Sequence, residues 1–212
     1  MNASIDNTQT QDEQTSRSTF LREIGKTVFL ILIIVVPVRM FIISPFVVSG
    51  ESMSPTFESG DYLIVDKLSY RFVTPQRGDV IVFRYPGNPS VFFIKRIIGL
   101  PKETVAIKDG TVTISQSTNI PNTQTLSEPY IMYPKNDTMT VTLGNQDYFV
   151  MGDNRYASSD SRVWGTLNRG YIDGKIAVRL LPVAHIGWFP GETSYLKHTS
   201  LFSHTNLSCF LL

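Results

Sequence analysis

The polar and apolar positions divide this chain into stretches of different character. Residues 1–19 are polar, rich in Thr, Gln, Ser and Asn, and show no apolar period; such composition predicts a disordered arm. Residues 27–38 are almost wholly apolar, and after Arg39 the apolar character resumes as far as Ile43. The unbroken run is too short for a bilayer core of about 30 Å at about 1.5 Å per residue. With Lys26 and Arg39 reaching towards opposite surfaces, the usable span widens to 24–43, so a single transmembrane helix is expected over 20–43. No polar stripe interrupts 28–36, as a buried helix of a soluble domain would show, and no small-residue cleavage signature follows Val38. Arg17, Arg22 and Lys26 flank its amino end, which places that end in the cytoplasm and the rest of the chain across the membrane.

Beyond residue 50 the pattern changes to period two. Residues 61–68, 79–85 and 91–98 alternate or run through Val, Ile and aromatics between Gly and Pro punctuation, and predict strands. Residues 104–108 and 111–114, separated by Asp109-Gly110, predict a tight hairpin. Residues 115–146 are polar, with Pro121, Pro129 and Pro134, and predict a loop-rich insertion, after which strands return at 148–151 and 175–181. The tail 191–212 carries no usable pattern. The expected protein is therefore mainly β, a β-rich domain over 44–190 on an amino-terminal membrane stalk.

Composition narrows the chemistry. A net charge of +1 offers no basic surface for nucleic acid, and Cys209 as the single cysteine excludes an intrachain disulfide and a cysteine-based zinc site. With only His185, His198 and His204, a serine nucleophile has few histidine bases to draw on. Lys95 is the alternative. On a period-two strand Lys95 and Arg96 point to opposite faces, so one cation faces inward. Burial lowers the pKa of a lysine, and a neutral amine can take the proton of a serine hydroxyl. A serine in the small-residue turn Ser49-Gly50-Glu51-Ser52-Met53-Ser54-Pro55-Thr56 is the candidate partner.

Taken in order, that turn, Gly60-Asp61, Arg77-Gly78-Asp79, Ile94-Lys95-Arg96-Ile97-Ile98-Gly99, and Gly152-Asp153-Asn154-Arg155 followed by Ser158-Ser159-Asp160-Ser161-Arg162 resemble type I signal peptidase, a Ser-Lys endopeptidase. The resemblance covers about 20–190. It implies an antiparallel β-sheet catalytic domain with a small cap insertion at about 103–145. It implies Ser52 as nucleophile, Lys95 as general base, Ser158 as the hydroxyl that orients the lysine, and Asp153, Arg96, Asp160 and Arg162 as a structural charge network. Its oxyanion hole uses backbone N–H groups, here at Ser52 and Gly50; Gly50 stands where some members add a serine hydroxyl. A second departure is Tyr156-Ala157, where Asp-Asn is usual. Phe46, Val47 and Met53 are expected to line the substrate groove, with Phe46, Val47 and Val48 close to the bilayer. The implied substrates are exported preproteins bearing signal peptides, cleaved after small residues in an Ala-x-Ala pattern beside membrane lipid, without metal, cofactor or nucleic acid. The competing reading is a membrane-anchored β-module that binds a partner and has lost catalysis; the joint presence of Ser52, Lys95 and Ser158 weighs against it.

Overall fold

The computed structural model describes residues 6–37, 42–116, 123–193 and 195. It opens with one long helix, α1 (Asp6–Pro37). The polar arm expected to be disordered is thus helical from Asp6 onward, while 1–5 lie outside the described residues. No proline and no glycine precedes Gly25 in this helix, and adding residues to an existing helix costs far less than starting one. The apolar positions 28–36 are all exposed, with nothing in the domain packed on them. Among the described residues no helix is long and apolar enough to cross a membrane. Arg22, Glu23 and Lys26 interrupt the apolar run on its amino side, residues 38–41 of the expected anchor lie outside the described residues, and Ile43 already belongs to a strand.

That strand, β1 (Ile43–Val47), pairs antiparallel with β2 (Tyr62–Asp66), Ile43 opposite Asp66 and Val47 opposite Tyr62. β3 (Val80–Tyr85) and β4 (Asn88–Gly99) form a hairpin with Ile81 opposite Lys95 and Val80 opposite Arg96. β5 (Glu103–Lys108), β6 (Thr111–Gln116), β7 (Thr123–Thr125) and β8 (Met139–Thr142) follow. β9 (Asp147–Met151), the short helix α2 (Ser161–Trp164), β10 (Leu167–Asn168), β11 (Ile172–Leu181) and β12 (Gly187–Trp188) complete the fold. The larger sheet has eight strands in the order β1-β2-β11-β3-β4-β9-β10, with β12 on β11; the smaller has four, β7-β6-β5-β8. All these pairings are antiparallel.

β3 shows why this sequence makes a central strand. Val80 and Val82 face one apolar cluster with Val48, Met53, Phe57, Leu63, Val65 and Ile176, while Ile81 and Phe83 face another with Tyr70, Ile97, Tyr148, Val150 and Leu167. A strand covered on both faces reads as a continuous hydrophobic run. The hairpin at Asp109-Gly110 has positive φ at both residues, as a two-residue turn matching the strand twist requires. The region 115–146, expected to be loop-rich, instead carries two further strands, which extend the expected 104–114 hairpin into the four-stranded sheet. Thr123–Thr125 and Met139–Thr142 are too short and too threonine-rich to show an apolar alternation, yet they pair with β6 and β5.

The two sheets share one core cluster, in which Val105, Ile107, Val112 and Ile114 pack on Ile98, Phe149 and Met151. Arg77 adds an ion pair to Glu103 at 2.6 Å. The closest approach falls at Gly99, where a Cβ would lie 2.4 Å from Val105 Cγ2 and 2.8 Å from Leu143 Cδ1. Gly99→Ala therefore overpacks the seam, and its unfolding free energy, measured by urea denaturation, should fall by about 1–3 kcal/mol.

Candidate active site

The turn after β1 is held at both ends. Val48 N–H donates to Asp61 O and Gly60 N–H to Val48 O, each at 2.9 Å, closing the base of the loop. Met53 and Phe57, 1% and 0% exposed, pin its middle into the core. Ser52 lies between these anchors, and its carbonyl accepts from Asn154 N–H at 3.1 Å. The nucleophile candidate is thus fixed both to its own loop and to the segment leaving β9.

Lys95 reaches the same point from β4. It is 3% exposed, and its Nζ donates to Ser52 Oγ at 2.7 Å and to Ile94 O at 2.9 Å. Burial, which penalises the ammonium form, brings its pKa down to about 8, against the opposing pull of the Asp160 and Asp153 carboxylates. Arg96, the next residue, turns the other way and has different partners: its guanidinium makes a two-pronged bond to Asp153, Nε to Oδ1 at 2.8 Å and Nη2 to Oδ2 at 2.6 Å, with both side chains fully buried. The inward cation of the sequence argument is in fact both residues, each on its own face.

The four expected network residues form two ion pairs. Arg96 and Asp153 are joined by Thr56 Oγ1, which donates to Asp153 Oδ2 at 2.6 Å, and by the Tyr130 ring, 4.0 Å from the guanidinium. Arg96 Nη1 donates to Gly78 O at 3.0 Å, to Thr193 Oγ1 at 3.2 Å and also to Gly191 O. Asp160 caps α2, accepts from Gly152 N–H at 3.0 Å, and pairs with Arg162 through bonds of 2.7 and 2.8 Å. Burial disfavours the Asp160 carboxylate, but the Arg162 bonds and charge outweigh it and hold the pKa below the ordinary carboxylate value. Arg162 reaches on to Asp137 at 2.5 Å.

Ser158 stands beside this group without joining it. Its buried Oγ makes no hydrogen bond among the described residues, to Lys95 or to any other, although it lies near enough to Asp160 to favour that carboxylate. Gly152 is what admits it: a Cβ there would lie 2.3 Å from Ser158 Oγ and 2.3 Å from Ser52 O. The backbone N–H groups of Gly50 and Ser52 donate to no acceptor among the described residues. Gly50 has φ +100°, a region that a serine would be strained to adopt. His185 is exposed on a turn beyond β11 and does not line the cleft at Ser52.

Ser52 and Lys95 close one end of a cleft of about 320 Å³. Phe46, Val47 and Val48 make one wall and Phe92, Phe93 and Ile94 the other, with the Phe46 and Phe92 rings 5.3 Å apart. Phe46 and Val47, expected at the substrate groove, line this cleft. Met53 does not: it is buried in the core beneath the loop and takes no part in the cleft, because the turn at 50–54 directs it inward. Sequence reasoning missed the Phe92 and Phe93 wall, whose signal was their place on the same strand as Lys95. It also missed Thr56, Tyr130 and Gly191, which carried no local signal. Among the described residues no group of three or more His, Cys, Asp and Glu side chains could hold a metal ion. Asp153→Ala would leave the Arg96 guanidinium buried and unpaired, so its urea midpoint should show a loss of about 3–5 kcal/mol.

Comparison with known proteins gives a family and several relatives. Residues 21–181 match the family described as signal peptidase, peptidase S26. The chain is 40% identical over 178 residues to a signal peptidase I of Leptolyngbya laminosa, covering 80% of this chain and 84% of that one. It is 37% identical over 176 residues to a probable signal peptidase I-1 of Synechocystis sp., covering 79% and 86%. A crystal structure of a signal peptidase I from Enterococcus faecalis V583 superposes with a TM-score of 0.41 at 33% identity, covering 49% of this chain and 97% of that one. The chain belongs to the signal peptidase family, peptidase S26.

Proposed function

We propose that this protein is a serine endopeptidase that removes amino-terminal signal peptides from exported preproteins, with Ser52 as nucleophile and Lys95 as general base. The observation that carries the reading is the 2.7 Å contact between a buried lysine amine and a serine hydroxyl at the end of an apolar cleft. With a pKa of about 8, roughly a tenth of Lys95 is neutral at pH 7, hundreds of times more than for an ordinary lysine.

In that neutral form the Nζ lone pair accepts the proton of Ser52 Oγ as the oxygen attacks the scissile carbonyl carbon. The developing oxyanion is met by the free backbone N–H groups of Ser52 and Gly50. The Lys95 ammonium then protonates the leaving amine as the peptide bond breaks, and an acyl-enzyme remains. A water that gives its proton to Lys95 releases the acyl group and restores Ser52. The aromatic walls from Phe46 and Phe92 favour small side chains near the scissile bond, the Ala-x-Ala pattern. Ser158, beside Asp160 with a hydroxyl that makes no hydrogen bond among the described residues, is the group that orients the amine. The exposed apolar residues 28–36 of α1 anchor the enzyme in a lipid bilayer as part of a single span. Its amino end is cytoplasmic and its catalytic domain lies on the far side, where preproteins emerge.

The test is cleavage of a secretory precursor carrying an Ala-x-Ala site, with the full chain in detergent micelles. Ser52→Ala and Lys95→Ala should each reduce kcat by about 10³-fold or more. Lys95→Arg should restore nothing, since a guanidinium stays charged. Retained cleavage in Lys95→Ala would overturn the base assignment.

The pH dependence has a definite sign. Below about pH 8 the protonated amine donates to Ser52 Oγ and cannot accept, so kcat/KM should rise with pH through a single ionisation near 8 and level off above it. Folding responds to the same group. The unfolded chain holds this proton up to about 10.5 and the folded chain releases it near 8, so wild type gains stability as pH rises between those values. Lys95→Met has no such proton to release. Its stability advantage over wild type, read from urea denaturation, should be largest below pH 8 and shrink towards pH 10.5.

A further inference from the structure

Ser52 separates two depressions. On one side is the apolar cleft; on the other lies a groove of about 730 Å³ lined by Glu51, Glu58, Met132, Tyr133, Tyr156 and Ala157. Glu51 and Ala157 border both, so the two depressions adjoin across the nucleophile loop. A peptide cut at Ser52 extends in two directions from the scissile bond, an acyl half that stays on Ser52 and a leaving half that does not. The apolar cleft suits the acyl half, which belongs to a hydrophobic signal segment. Continuity of the backbone carries the leaving half towards the groove, and the single methyl of Ala157 keeps the junction open.

We propose that this groove is the subsite for the residues that follow the scissile bond, and that it favours cationic over acidic side chains there. The inference rests on the function proposed above and extends it to the mature side of the substrate. Its charge is one-signed. Glu51 and Glu58 are exposed, neither belongs to an ion pair among the described residues, and the Glu58 carboxylate accepts only from the neutral Ser54 hydroxyl, at 3.0 Å. No lysine or arginine lines the groove. The neighbouring cations are engaged elsewhere: Lys135 pairs with Asp137 at 3.3 Å, and the buried Arg155 bonds Glu128. Tyr156, 78% exposed, and Tyr133, 48% exposed, add aromatic faces on which a cation can rest. Tyr156-Ala157 is also where the sequence departs from the family's usual Asp-Asn, so this wall belongs to this chain.

The experiment uses three precursors that differ only at the second and third residues after the scissile bond, carrying Lys, Gln or Glu. At low ionic strength wild type should prefer the Lys precursor over the Glu precursor by roughly tenfold in kcat/KM, as expected for two exposed carboxylates acting on a bound cation. The preference should fall to about threefold in Glu58→Gln, approach one in the double variant Glu51→Gln with Glu58→Gln, and fade in about 0.5 M salt. The ratio compares substrates within one variant, so a general loss of activity does not alter it. A wild-type ratio near one with the Gln precursor cleaved would overturn the subsite alone, as would a preference that survives in the double variant. Failure to cleave even the Gln precursor would overturn the proposed function, and the subsite with it.

Discussion

Everything in this protein turns on keeping one amine out of water. A lysine in solution is charged at any physiological pH and cannot take a proton; burial makes the charge of Lys95 costly and favours the neutral amine that the proposed mechanism needs. A histidine starts near neutrality and needs little help, but a lysine needs the whole architecture around it. The hydrophobic strands β3, β4 and β9 and the core-anchored residues Met53 and Phe57 exclude solvent from the contact with Ser52. Stability and reactivity therefore depend on the same packing, and the base is tuned by the core as much as by its neighbours.

Two carboxylates work against that tuning. Asp160 and Asp153 both favour a charged Lys95, and left free they would hold the amine protonated. Each is matched by its own arginine, Asp153 by Arg96 and Asp160 by Arg162. The pairing neutralises the local field, so the desolvation of Lys95 prevails. A buried ion pair is weak evidence for net stability; here its consequence is electrostatic, allowing acids to organise the backbone of 152–162 without recharging the base. Asp160 illustrates the division of labour, capping α2 and bonding Gly152 N–H while its charge is spent on Arg162.

What the sequence discloses follows from how local each signal is. The strands around Val80–Tyr85 and Asn88–Gly99 and the Asp109-Gly110 hairpin were legible because their apolar runs and turn residues are contiguous. The outer strands of the smaller sheet were not: Thr123–Thr125 and Met139–Thr142 gain their place from pairing with β6 and β5, and polarity on an exposed edge looks like loop. Motif order together with the scarcity of histidine pointed to Ser52 and Lys95, whose side chains the fold brings to 2.7 Å. Met53 was misplaced because one residue in a tight turn decides between cleft and core, and only the φ of Gly50 and the packing of the loop settle which. Ser158, expected to hydrogen-bond Lys95, makes no such bond, since hydroxyl rotamers leave no mark in a sequence.

The segment after β12 carries this furthest. It lies beyond the family match at 181, and its pattern predicts nothing, yet Gly191 and Thr193 satisfy Arg96 on the side that Asp153 leaves open. Tyr195 adds its hydroxyl to that of Tyr130, whose ring lies over the same guanidinium. Gly78 permits the approach, for a Cβ there would meet Thr193 O at 2.0 Å. A guanidinium has five donors, and each one buried without an acceptor costs about 1–3 kcal/mol or more. The strand that presents Lys95 is therefore completed from behind by residues remote from the Ser52 contact. They count because the neighbour of Lys95 is a buried cation, and a buried cation needs every acceptor the chain can bring to it.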